Sequence, residues 1–384
     1  MRRFCIGLLA LICLAGAYVG LARAFVVTRP PDIPFEIHTI DLGSSESAAV
    51  CDINGDGKLD IVSGENWYEA PTWKKHHFRD IDYTQNYIDD LSTVPLDVDE
   101  DGHVDLVTIG WFSKKISWWR NPGNSGGMWQ EHVIDRPGNI EFAELVDLDN
   151  DGKADEVLPE FGNETDPLAW YERDHHGGMV KHVVSPRSYG HGIGAGDVNG
   201  DGRNDILTPN GWLEAPPNPR SGNWTFHPDW KLGAVGFMYV ADVNNDGRPD
   251  VITSMAHDYG IFWLENRGDG KWVKHMIDDS WSQSHAVTIA DLRGGHNIGL
   301  VTGKRYMAHN GHDPGSREPL GVYWYERLIP PGSNDVEWVK HVISYGGRTG
   351  GGLQIPVTDI DADGDLDFVT AGKSGLFLFE NKTR

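Results

Sequence analysis

Cysteine is scarce in this chain. Only three of its 384 residues are cysteines, and two of them, Cys5 and Cys13, lie in an apolar N-terminal stretch. The remainder therefore holds one thiol, which excludes an intrachain disulfide there and requires another source of stability. Cys51 follows Val50 in an apolar run, so we interpret it as a small core residue and not as a nucleophile.

Basic residues are also few. The chain has 33 lysines and arginines against 57 aspartates and glutamates, which gives a formal net charge of −24. Such a surface is poorly suited to nucleic acid or to anionic lipid, so we expect neither as a partner. The aspartates are not spread evenly, because most of them fall in short repeated segments.

The only long apolar run covers residues 4–22. Arg2 and Arg3 precede it and the small residues of Ala-Arg-Ala at 22–24 follow it, so residues 1–24 are predicted to be a secretory signal peptide. An uncleaved anchor is the alternative, because the run is close to membrane-spanning length. Both readings predict a secreted, periplasmic or cell-surface protein with no membrane insertion beyond the leader.

A nonapeptide rich in aspartate recurs along the rest of the chain. Its six near-copies are DINGDGKLD from Asp52, DVDEDGHVD from Asp97, DLDNDGKAD from Asp147, DVNGDGRND from Asp197, DVNNDGRPD from Asp242 and DIDADGDLD from Asp359. A seventh segment, DLRGGHNIG from Asp291, keeps only the first aspartate. Seven units of about 45 to 50 residues indicate a repeat architecture.

The nonapeptide has the chemistry of a calcium loop. Side-chain oxygens at positions 1, 3, 5 and 9 and a backbone carbonyl at position 7 can surround one hard cation, while glycine at position 6 allows a sharp turn. An EF-hand would carry glutamate at position 12, where the first and third loops have Ser63 and Leu158. The flanking segments are β-rich, so strand–calcium loop–strand units are predicted.

Each unit adds a third, aromatic strand and a fourth strand with the pattern aromatic-x-x-His. Four short strands in each of seven units predict an all-β, seven-bladed β-propeller over residues 34–380. The predicted blades begin near residues 46, 91, 141, 191, 237, 285 and 352. The last unit lacks its fourth strand, and residues 34–42 match it, so the N-terminal strand is expected to complete the last blade and close the ring.

On these loops and strands the chain resembles the FG-GAP/VCBS repeat family of calcium-loop propellers. The resemblance covers residues 34–380 and implies six structural calcium ions, with none in the sixth blade. The implied ligands are Asp52, Asn54, Asp56 and Asp60; Asp97, Asp99, Asp101 and Asp105; Asp147, Asp149, Asp151 and Asp155; Asp197, Asn199, Asp201 and Asp205; Asp242, Asn244, Asp246 and Asp250; and Asp359, Asp361, Asp363 and Asp367. At about millimolar calcium, six such sites together would stabilise the fold by about 2–8 kcal/mol.

The histidines divide into two groups. Seven of the seventeen recur once per blade on the fourth strand, and we assign those to packing or hydrogen bonding of the scaffold. Five others fall on blade-to-blade links or on turns between second and third strands, which share the propeller face opposite the calcium loops. These five are His191, His257, His285, His309 and His312.

Residues 303–321 form the longest of these turns and come from the blade that lost its calcium loop. The turn is predicted to fold over the mouth of the central channel. Together with Arg348 it adds four basic or aromatic candidates to the five histidines. The full candidate set is His191, His257, His285, Lys304, Arg305, Tyr306, His309, His312 and Arg348.

This set favours an enzyme that acts on carbohydrate by elimination. His309 or His191 would remove a proton next to a carbonyl or carboxylate, and a cation would offset the enolate charge. A tyrosine or second histidine would protonate the leaving oxygen. A divalent metal held by His309, His312 and Asp313 is a further candidate cofactor. The architecture resembles the propeller domain of fungal aldos-2-ulose dehydratases and the seven-bladed polysaccharide lyases, although no catalytic motif of either is present.

Other functions remain open from the sequence. The main alternative is a non-catalytic carbohydrate-binding or adhesion module. A glycosidase would use two facing carboxylates, for which Glu141, Glu144 and Glu160 are available. A copper or iron redox site lacks a thiolate or methionine ligand set. The sequence does not indicate the sugar or the oligomeric state.

Overall fold

The computed structural model describes residues 29–123 and 127–384, so the predicted signal peptide lies outside the described residues. Within the described part the regular structure is β-sheet, with two short 3-10 helices at Pro219–Ser221 and Ala308–Gly311. None of the helices in these ranges has the length and apolar character needed to cross a membrane.

The strands follow one another as short antiparallel meanders. In chain order, the first half comprises β1 (Phe35–Asp41), β2 (Ala49–Cys51), β3 (Asp60–Ser63), β4 (Asn66–Glu69), β5 (Lys74–His77), β6 (Tyr83–Thr84), β7 (Tyr87–Ile88), β8 (Ser92–Leu96), β9 (Asp105–Gly110), β10 (Lys115–Arg120), β11 (Gln130–Asp135), β12 (Ile140–Val146), β13 (Glu156–Phe161), β14 (Leu168–Arg173) and β15 (Met179–Ser185). The second half comprises β16 (Ile193–Gly196), β17 (Asp205–Thr208), β18 (Gly211–Glu214), β19 (Thr225–His227), β20 (Phe237–Ala241), β21 (Asp250–Ser254), β22 (Tyr259–Asn266), β23 (Trp272–Ser282), β24 (Val287–Ile289), β25 (Gly299–Gly303), β26 (Gly321–Leu328), β27 (Glu337–Tyr345), β28 (Val357–Thr358), β29 (Asp367–Gly372) and β30 (Gly375–Asn381).

Five separate four-stranded sheets form blades of a β-propeller in the described residues, which confirms the all-β propeller predicted from the sequence. They are β2–β5, β8–β11, β12–β15, β24–β27, and β28–β30 with β1. In the last of these, β1 pairs antiparallel with β30, from Phe35 opposite Asn381 to Asp41 opposite Leu376. The N-terminal strand therefore belongs to the same sheet as the C-terminal strands.

Of the ten other strands, β6 and β7 form a two-stranded sheet, and β16–β23 form one continuous sheet and not two separate blades. Parallel pairing of β16 with β20 joins its two halves. Glycine makes this close approach feasible, because a Cβ on Gly194 would lie 1.9 Å from the carbonyl oxygen of Met238. The structure thus shows five separate blades and one double sheet.

The inner strands carry the core and the outer strands face solvent. Every residue of β9 and of β13 is buried, whereas β1, β5 and β11 have mostly exposed or partly exposed residues. Cys51 is buried in the core, where burial raises the pKa of its thiol, as expected for a packing residue.

A Trp–His pair recurs in the blades. The fourth-strand histidine stacks on the tryptophan of the third strand, with ring centroids 4.1–4.5 Å apart, in the pairs Trp67–His76, Trp118–His132, Trp170–His182, Trp212–His227, Trp263–His275 and Trp324–His341. Most of these histidines also pair with a third-strand glutamate; for example, His182 Nε2 lies 2.8 Å from Glu172 Oε1. These histidines are part of the scaffold.

Aspartates on outer strands fasten neighbouring blades together. Asp278 of β23 accepts hydrogen bonds from the Tyr325 hydroxyl at 2.5 Å and from Lys340 Nζ at 2.7 Å, both in the next sheet. Asp41 and Asp135 are held in the same way by a tyrosine and a lysine of the adjacent sheet. Burial works against ionised Asp278, but the contacts from Lys340, Ser280 and Tyr325 outweigh it and lower the pKa of Asp278 to about 2.

Replacing Asp278 by asparagine is expected to lower the free energy of unfolding by about 2 kcal/mol at neutral pH. Because the pKa of Asp278 is lower in the folded chain than in the unfolded chain, its contribution is complete above about pH 4 and is lost as the pH falls towards 2. Urea unfolding of both proteins between pH 2 and pH 8 measures this difference. The exposed neighbour substitution Asp279→Asn is the control, and a pH-independent gap would contradict the assignment.

Candidate functional site

One position of the repeat lines the centre of the face opposite the Asp-rich loops. It lies six residues before the first aspartate of each loop and is occupied, in chain order, by Glu46, Leu91, Glu141, His191, Gly236, His285 and Leu353. Two members of this ring are in close contact where Gly236 meets the backbone of His285, since a Cβ on Gly236 would lie 2.1 Å from that carbonyl oxygen. Four of the seven residues, Glu46, Glu141, His191 and His285, have an acidic or imidazole side chain. They lie on inner segments that converge.

Glu141 lies at the centre of the charged cluster. Its Oε2 is 2.8 Å from His191 Nε2, and its Oε1 is 2.9 Å from Arg305 Nη1 and 3.3 Å from His285 Nε2. Burial alone would raise the pKa of Glu141, but the two imidazoles hold it well below its usual value. Glu141 is therefore a buried carboxylate.

Arg305 bridges two glutamates that come from different blades. Its Nε donates to Glu46 Oε2 at 3.1 Å, and all three side chains are buried. Lys373 Nζ lies 3.6 Å from Glu46 Oε1 and 3.5 Å from the centre of the Tyr87 ring. Two cations thus balance two carboxylates in the centre of the propeller.

Three histidines from three different units meet beside Glu141. The rings of His191 and His257 are 4.6 Å apart, and each lies 5.2–5.4 Å from the ring of His285. Burial lowers the pKa of His257 to about 2 and that of His285 to about 4, so both imidazoles are neutral. Burial also acts on His191, but Glu141 outweighs it and raises the pKa of His191 to about 9.

The loop of residues 303–321 spans this mouth. Asp313 bridges two imidazoles, with Oδ1 2.9 Å from His309 Nδ1 and Oδ2 3.2 Å from His257 Nδ1. The loop reaches two other units: Asn310 donates to the carbonyl of Gln85, and Lys373 donates to the carbonyl of Met307.

The same loop contains backbone strain. Met307, His309 and Asn310 have φ values of 50°, 45° and 55°, a left-handed conformation that non-glycine residues seldom adopt. Such strain persists only where surrounding contacts hold it, and it is concentrated at functional sites.

A cavity of about 290 Å³ opens between the loop and the ring. Its wall combines aromatic faces with polar groups of the cluster. The lining residues are Gln85, Tyr87, Leu91, Trp111, Phe112, Glu141, Arg305, His309 and Asn310. This is the place where a small polar ligand can reach the charged centre and the His309–Asp313 pair.

The structure brings together five of the nine candidates from the sequence: His191, His257, His285, Arg305 and His309. Lys304 is buried elsewhere, with Nζ bound to the carbonyl and hydroxyl of Ser282 and 3.6 Å from Glu318. Because its ammonium group binds Ser282 at the base of the loop, Lys304 does not line the channel mouth.

The other three candidates point into solvent. Tyr306 is 40% exposed, and His312 and Arg348 are exposed as well. The predicted metal group of His309, His312 and Asp313 therefore stays a prediction. In place of His312, the structure brings His257 next to the other two side chains.

Two central residues were absent from the sequence-based set of candidates. Glu46 is outside the candidate set from the sequence, and so is Glu141, which the sequence offers among the polar groups of the mouth loops and as a carboxylate available to a glycosidase. The signal that identifies both is the shared register six residues before each loop, which also holds His191 and His285. Arg305 and Lys373 share a second register, fourteen residues after the first loop aspartate of their units.

The Asp-rich loops have the geometry of a cation site. In the second loop, oxygens of Asp97, Asp99 and Asp101 lie within 4.8 Å of one another, as do those of the equivalent residues of the third loop. In the first loop, the carboxylate of Asp52 also accepts backbone hydrogen bonds from the turn, for example from Gly57 N at 2.8 Å. The donor set fits a hard divalent cation.

The ninth loop position also has a structural role. Asp105 is buried, and its two oxygens accept hydrogen bonds from the backbone N–H groups of Val98 and Asn121. The same pairing recurs at Asp60, Asp205, Asp250 and Asp367. The third loop differs, because Glu156 accepts the loop N–H and Asp155 pairs with Arg173 instead.

Comparison with known proteins agrees with this architecture. A family model described as FG-GAP-like repeat matches residues 97–158. Among solved structures, the chain is similar to BBS1N in complex with ARL6DN, with a TM-score of 0.52 and 12% identity over 90% of this chain and 98% of that one.

Two further solved structures match with TM-scores below 0.5. An Agrocybe aegerita lectin that recognises non-reducing terminal N-acetylglucosamine has a TM-score of 0.47 and 16% identity, covering 79% of this chain and 81% of its own. The V. cholerae biofilm matrix protein Bap1 has a TM-score of 0.43 and 12% identity over 92% of each chain. No curated protein matches the chain. At these identities the similarity concerns the fold alone.

Replacing Arg305 by methionine is expected to lower the free energy of unfolding by about 3–5 kcal/mol, because Glu46 and Glu141 would lose their shared buried cation. Urea unfolding at pH 7 measures the change. Arg348→Met, which removes an exposed arginine, should stay within about 0.5 kcal/mol of the wild type. Equal effects of the two substitutions would contradict the proposed role of Arg305.

Proposed function

We propose that this protein is a carbohydrate-active lyase or dehydratase that works by proton abstraction and elimination at the channel mouth. The observation that supports this function best is the His309–Asp313 pair at the edge of a cavity whose base holds Glu141 and Arg305. A side chain that both lines a cavity and is oriented by a carboxylate is suited to proton transfer.

His309 is the proton acceptor in this proposal. The carboxylate of Asp313 accepts a hydrogen bond from Nδ1, which leaves Nε2 as the basic nitrogen. Nε2 takes a proton from a carbon next to a carbonyl or carboxylate of the sugar. The electron pair of that C–H bond then forms a C=C bond as the neighbouring C–O bond breaks.

Tyr87 is the proton donor to the leaving oxygen. It lines the same cavity, and burial raises the pKa of its hydroxyl, so the group is protonated at neutral pH. The leaving group departs as water or as an alcohol. Proton exchange with solvent then returns His309 to the neutral state and Tyr87 to the protonated state.

A sugar ring suits the remaining wall of the cavity. Trp111 and Phe112 offer apolar faces, and Gln85 and Asn310 offer hydrogen-bonding groups. Of the cations expected from the sequence to offset the enolate charge, Lys304 and Arg348 do not face the mouth. Arg305 and Lys373 do, although Glu46 and Glu141 balance their charge.

The second candidate function is a carbohydrate-binding module. The aromatic lining of the cavity would serve it equally well, and it needs neither His309 nor Asp313. The two functions therefore differ in what each requires of the loop. A catalyst depends on His309, whereas a binding module depends on Trp111.

The proposal also covers the scaffold. We infer that the double sheet β16–β23 represents two blades, which makes seven in all, and that six Asp-rich loops bind structural calcium. The N-terminal sequence supports export of the protein, and extracellular calcium concentrations suit sites of this type.

Turnover should depend on His309. Incubation of the protein with keto-sugars and acidic oligosaccharides is expected to produce ultraviolet absorbance from new conjugated double bonds, and His309→Ala should reduce the rate at least a hundredfold. His312→Ala changes an exposed histidine of the same loop and should retain the rate. If the sugars shift the melting temperature but neither the wild type nor a variant produces absorbance, elimination is excluded for those sugars. The binding module is then favoured.

Calcium should stabilise the fold. Removal by a calcium-selective chelator is expected to lower the free energy of unfolding by about 2–8 kcal/mol, measured by urea unfolding at millimolar calcium and without it. Asp101→Asn should reduce this calcium dependence, whereas Asp291→Asn in the degenerate sixth loop should leave it unchanged. Identical stability with and without calcium would contradict the assignment.

A further inference from the structure

Four side chains at the channel mouth direct their ligand atoms to a common point. One nitrogen each of His191, His257 and His285 and one carboxylate oxygen of Glu141 lie within 4.8 Å of one another. The shortest separations are 2.8 Å between His191 Nε2 and Glu141 Oε2, and 3.1 Å between His191 Nε2 and His257 Nε2. Three imidazoles and one carboxylate are a common ligand set for transition metals.

Two of the histidines have an oxygen atom close to Nδ1, the ring nitrogen on the side away from the common centre. His191 Nδ1 is 2.8 Å from the carbonyl oxygen of Val235. His257 Nδ1 is 3.2 Å from Asp313 Oδ2, an ion-pair distance without hydrogen-bonding geometry. A proton on Nδ1 that faces an oxygen acceptor would leave the Nε2 lone pair free to bind a metal; in the metal-free protein His191 Nε2 instead donates to Glu141. Metal-binding histidines typically have such a backbone carbonyl or carboxylate partner.

The third histidine lacks a hydrogen bond among the described residues. His285 is completely buried, and among the described residues neither of its ring nitrogens has a hydrogen bond. Its Nε2 lies 3.3 Å from Glu141 Oε1 without hydrogen-bonding geometry. A buried polar group without a partner is costly, and a ligand at the common centre would supply one.

The charge of the surroundings is compatible with a cation. Arg305 and Lys373 lie beside Glu46 and Glu141, so two cations face two carboxylates around the histidines. A bound divalent ion would give the cluster a net positive charge. Arg305 and Lys373 do not, because Glu46 and Glu141 neutralise them. The site opens to the cavity through Glu141, which lines it.

We propose that His191, His257, His285 and Glu141 bind one divalent transition-metal ion, and that Asp313 is a positioning residue that orients His257 towards it. Because Asp313 belongs to the loop of residues 303–321, metal binding and closure of that loop favour each other. The site combines three residues of the ring register, Glu141, His191 and His285, with the turn histidine His257. This inference does not rest on the proposed function, since the metal site would exist in a binding module too.

The ion can be detected directly. Protein freed of metals, with its Asp-rich loops saturated by calcium, is titrated with Zn²⁺ by calorimetry and with Co²⁺ by visible absorption. One Zn²⁺ per chain is expected, and Co²⁺ should give the intense visible bands of a low-coordinate nitrogen–oxygen site. Failure of the wild-type protein to bind either ion, or only weak binding of several ions, would overturn the proposal.

Variants locate the ion. His257→Gln should abolish the high-affinity site, and Asp313→Asn should weaken it by about 10–100-fold. His312→Ala, in the same loop, should leave the affinity unchanged. Near-ultraviolet circular dichroism establishes that each variant is folded. Binding by folded His257→Gln with wild-type affinity would overturn the assignment of ligands.

Loop closure provides a readout that is separate from affinity. Amide exchange of residues 303–321 should slow when Zn²⁺ binds to the wild-type protein, and the slowing should be much smaller in Asp313→Asn at saturating Zn²⁺. Equal slowing in both proteins would overturn the positioning role of Asp313. If the metal binds as described and no sugar is turned over, the proposed function fails while this inference stands.

Discussion

The contact on which this propeller depends is the buried bridge from Glu46 through Arg305 to Glu141. It joins the first and third blades to the loop of the sixth at a point where all three side chains are buried. A buried ion pair is a weak source of net stability, but it is strongly directional, and loss of one partner leaves an uncompensated charge. The bridge therefore determines how inner segments far apart in sequence meet at the channel mouth.

The surrounding structure follows from this arrangement. Glu141 is held by Arg305 on one oxygen, so its other oxygen is directed towards His191. After Arg305 the loop crosses the mouth, where Asp313 contacts His257 and His309. Strained backbone at His309 and Asn310 indicates that these contacts hold the loop in a conformation it would not adopt in isolation.

The contacts that stabilise the scaffold lie away from the charged cluster at the channel mouth. Stacked Trp–His pairs and the Asp–Tyr–Lys contacts lie on outer strands, where they fix each blade and its neighbour. The Asp-rich loops lie on the opposite face, and their buried ninth residues tie the loop to the hairpin that follows. Stability and chemistry are thus located at different ends of the same blades, as is common for functional loops on a regular framework.

Much of the fold could be predicted from the sequence because each repeat has local sequence patterns. The nonapeptide, the aromatic third strand and the histidine of the fourth strand each depend on neighbours within one blade. The sequence also predicted a separate blade at each unit, whereas β16 and β20 pair in parallel because Gly194 allows a backbone contact between units. Such a contact has no local signature.

The site was predictable only in part. His191, His257 and His285 were identified by subtracting the repeated histidines, and the turn that carries His309 was expected to cross the mouth. Lys304 was placed wrongly because its direction depends on Ser282, a residue of another blade. Glu46 was missed because its partner, Arg305, lies 259 residues away in sequence and no local pattern links the two.

The most direct test of the account is a crystal structure of the protein with a bound keto-sugar or acidic disaccharide. The account predicts that the sugar occupies the cavity beside Trp111, with the carbon that loses its proton about 3–3.5 Å from His309 Nε2. A sugar bound on the face of the Asp-rich loops or on the outer strands, with the mouth unchanged, would contradict it.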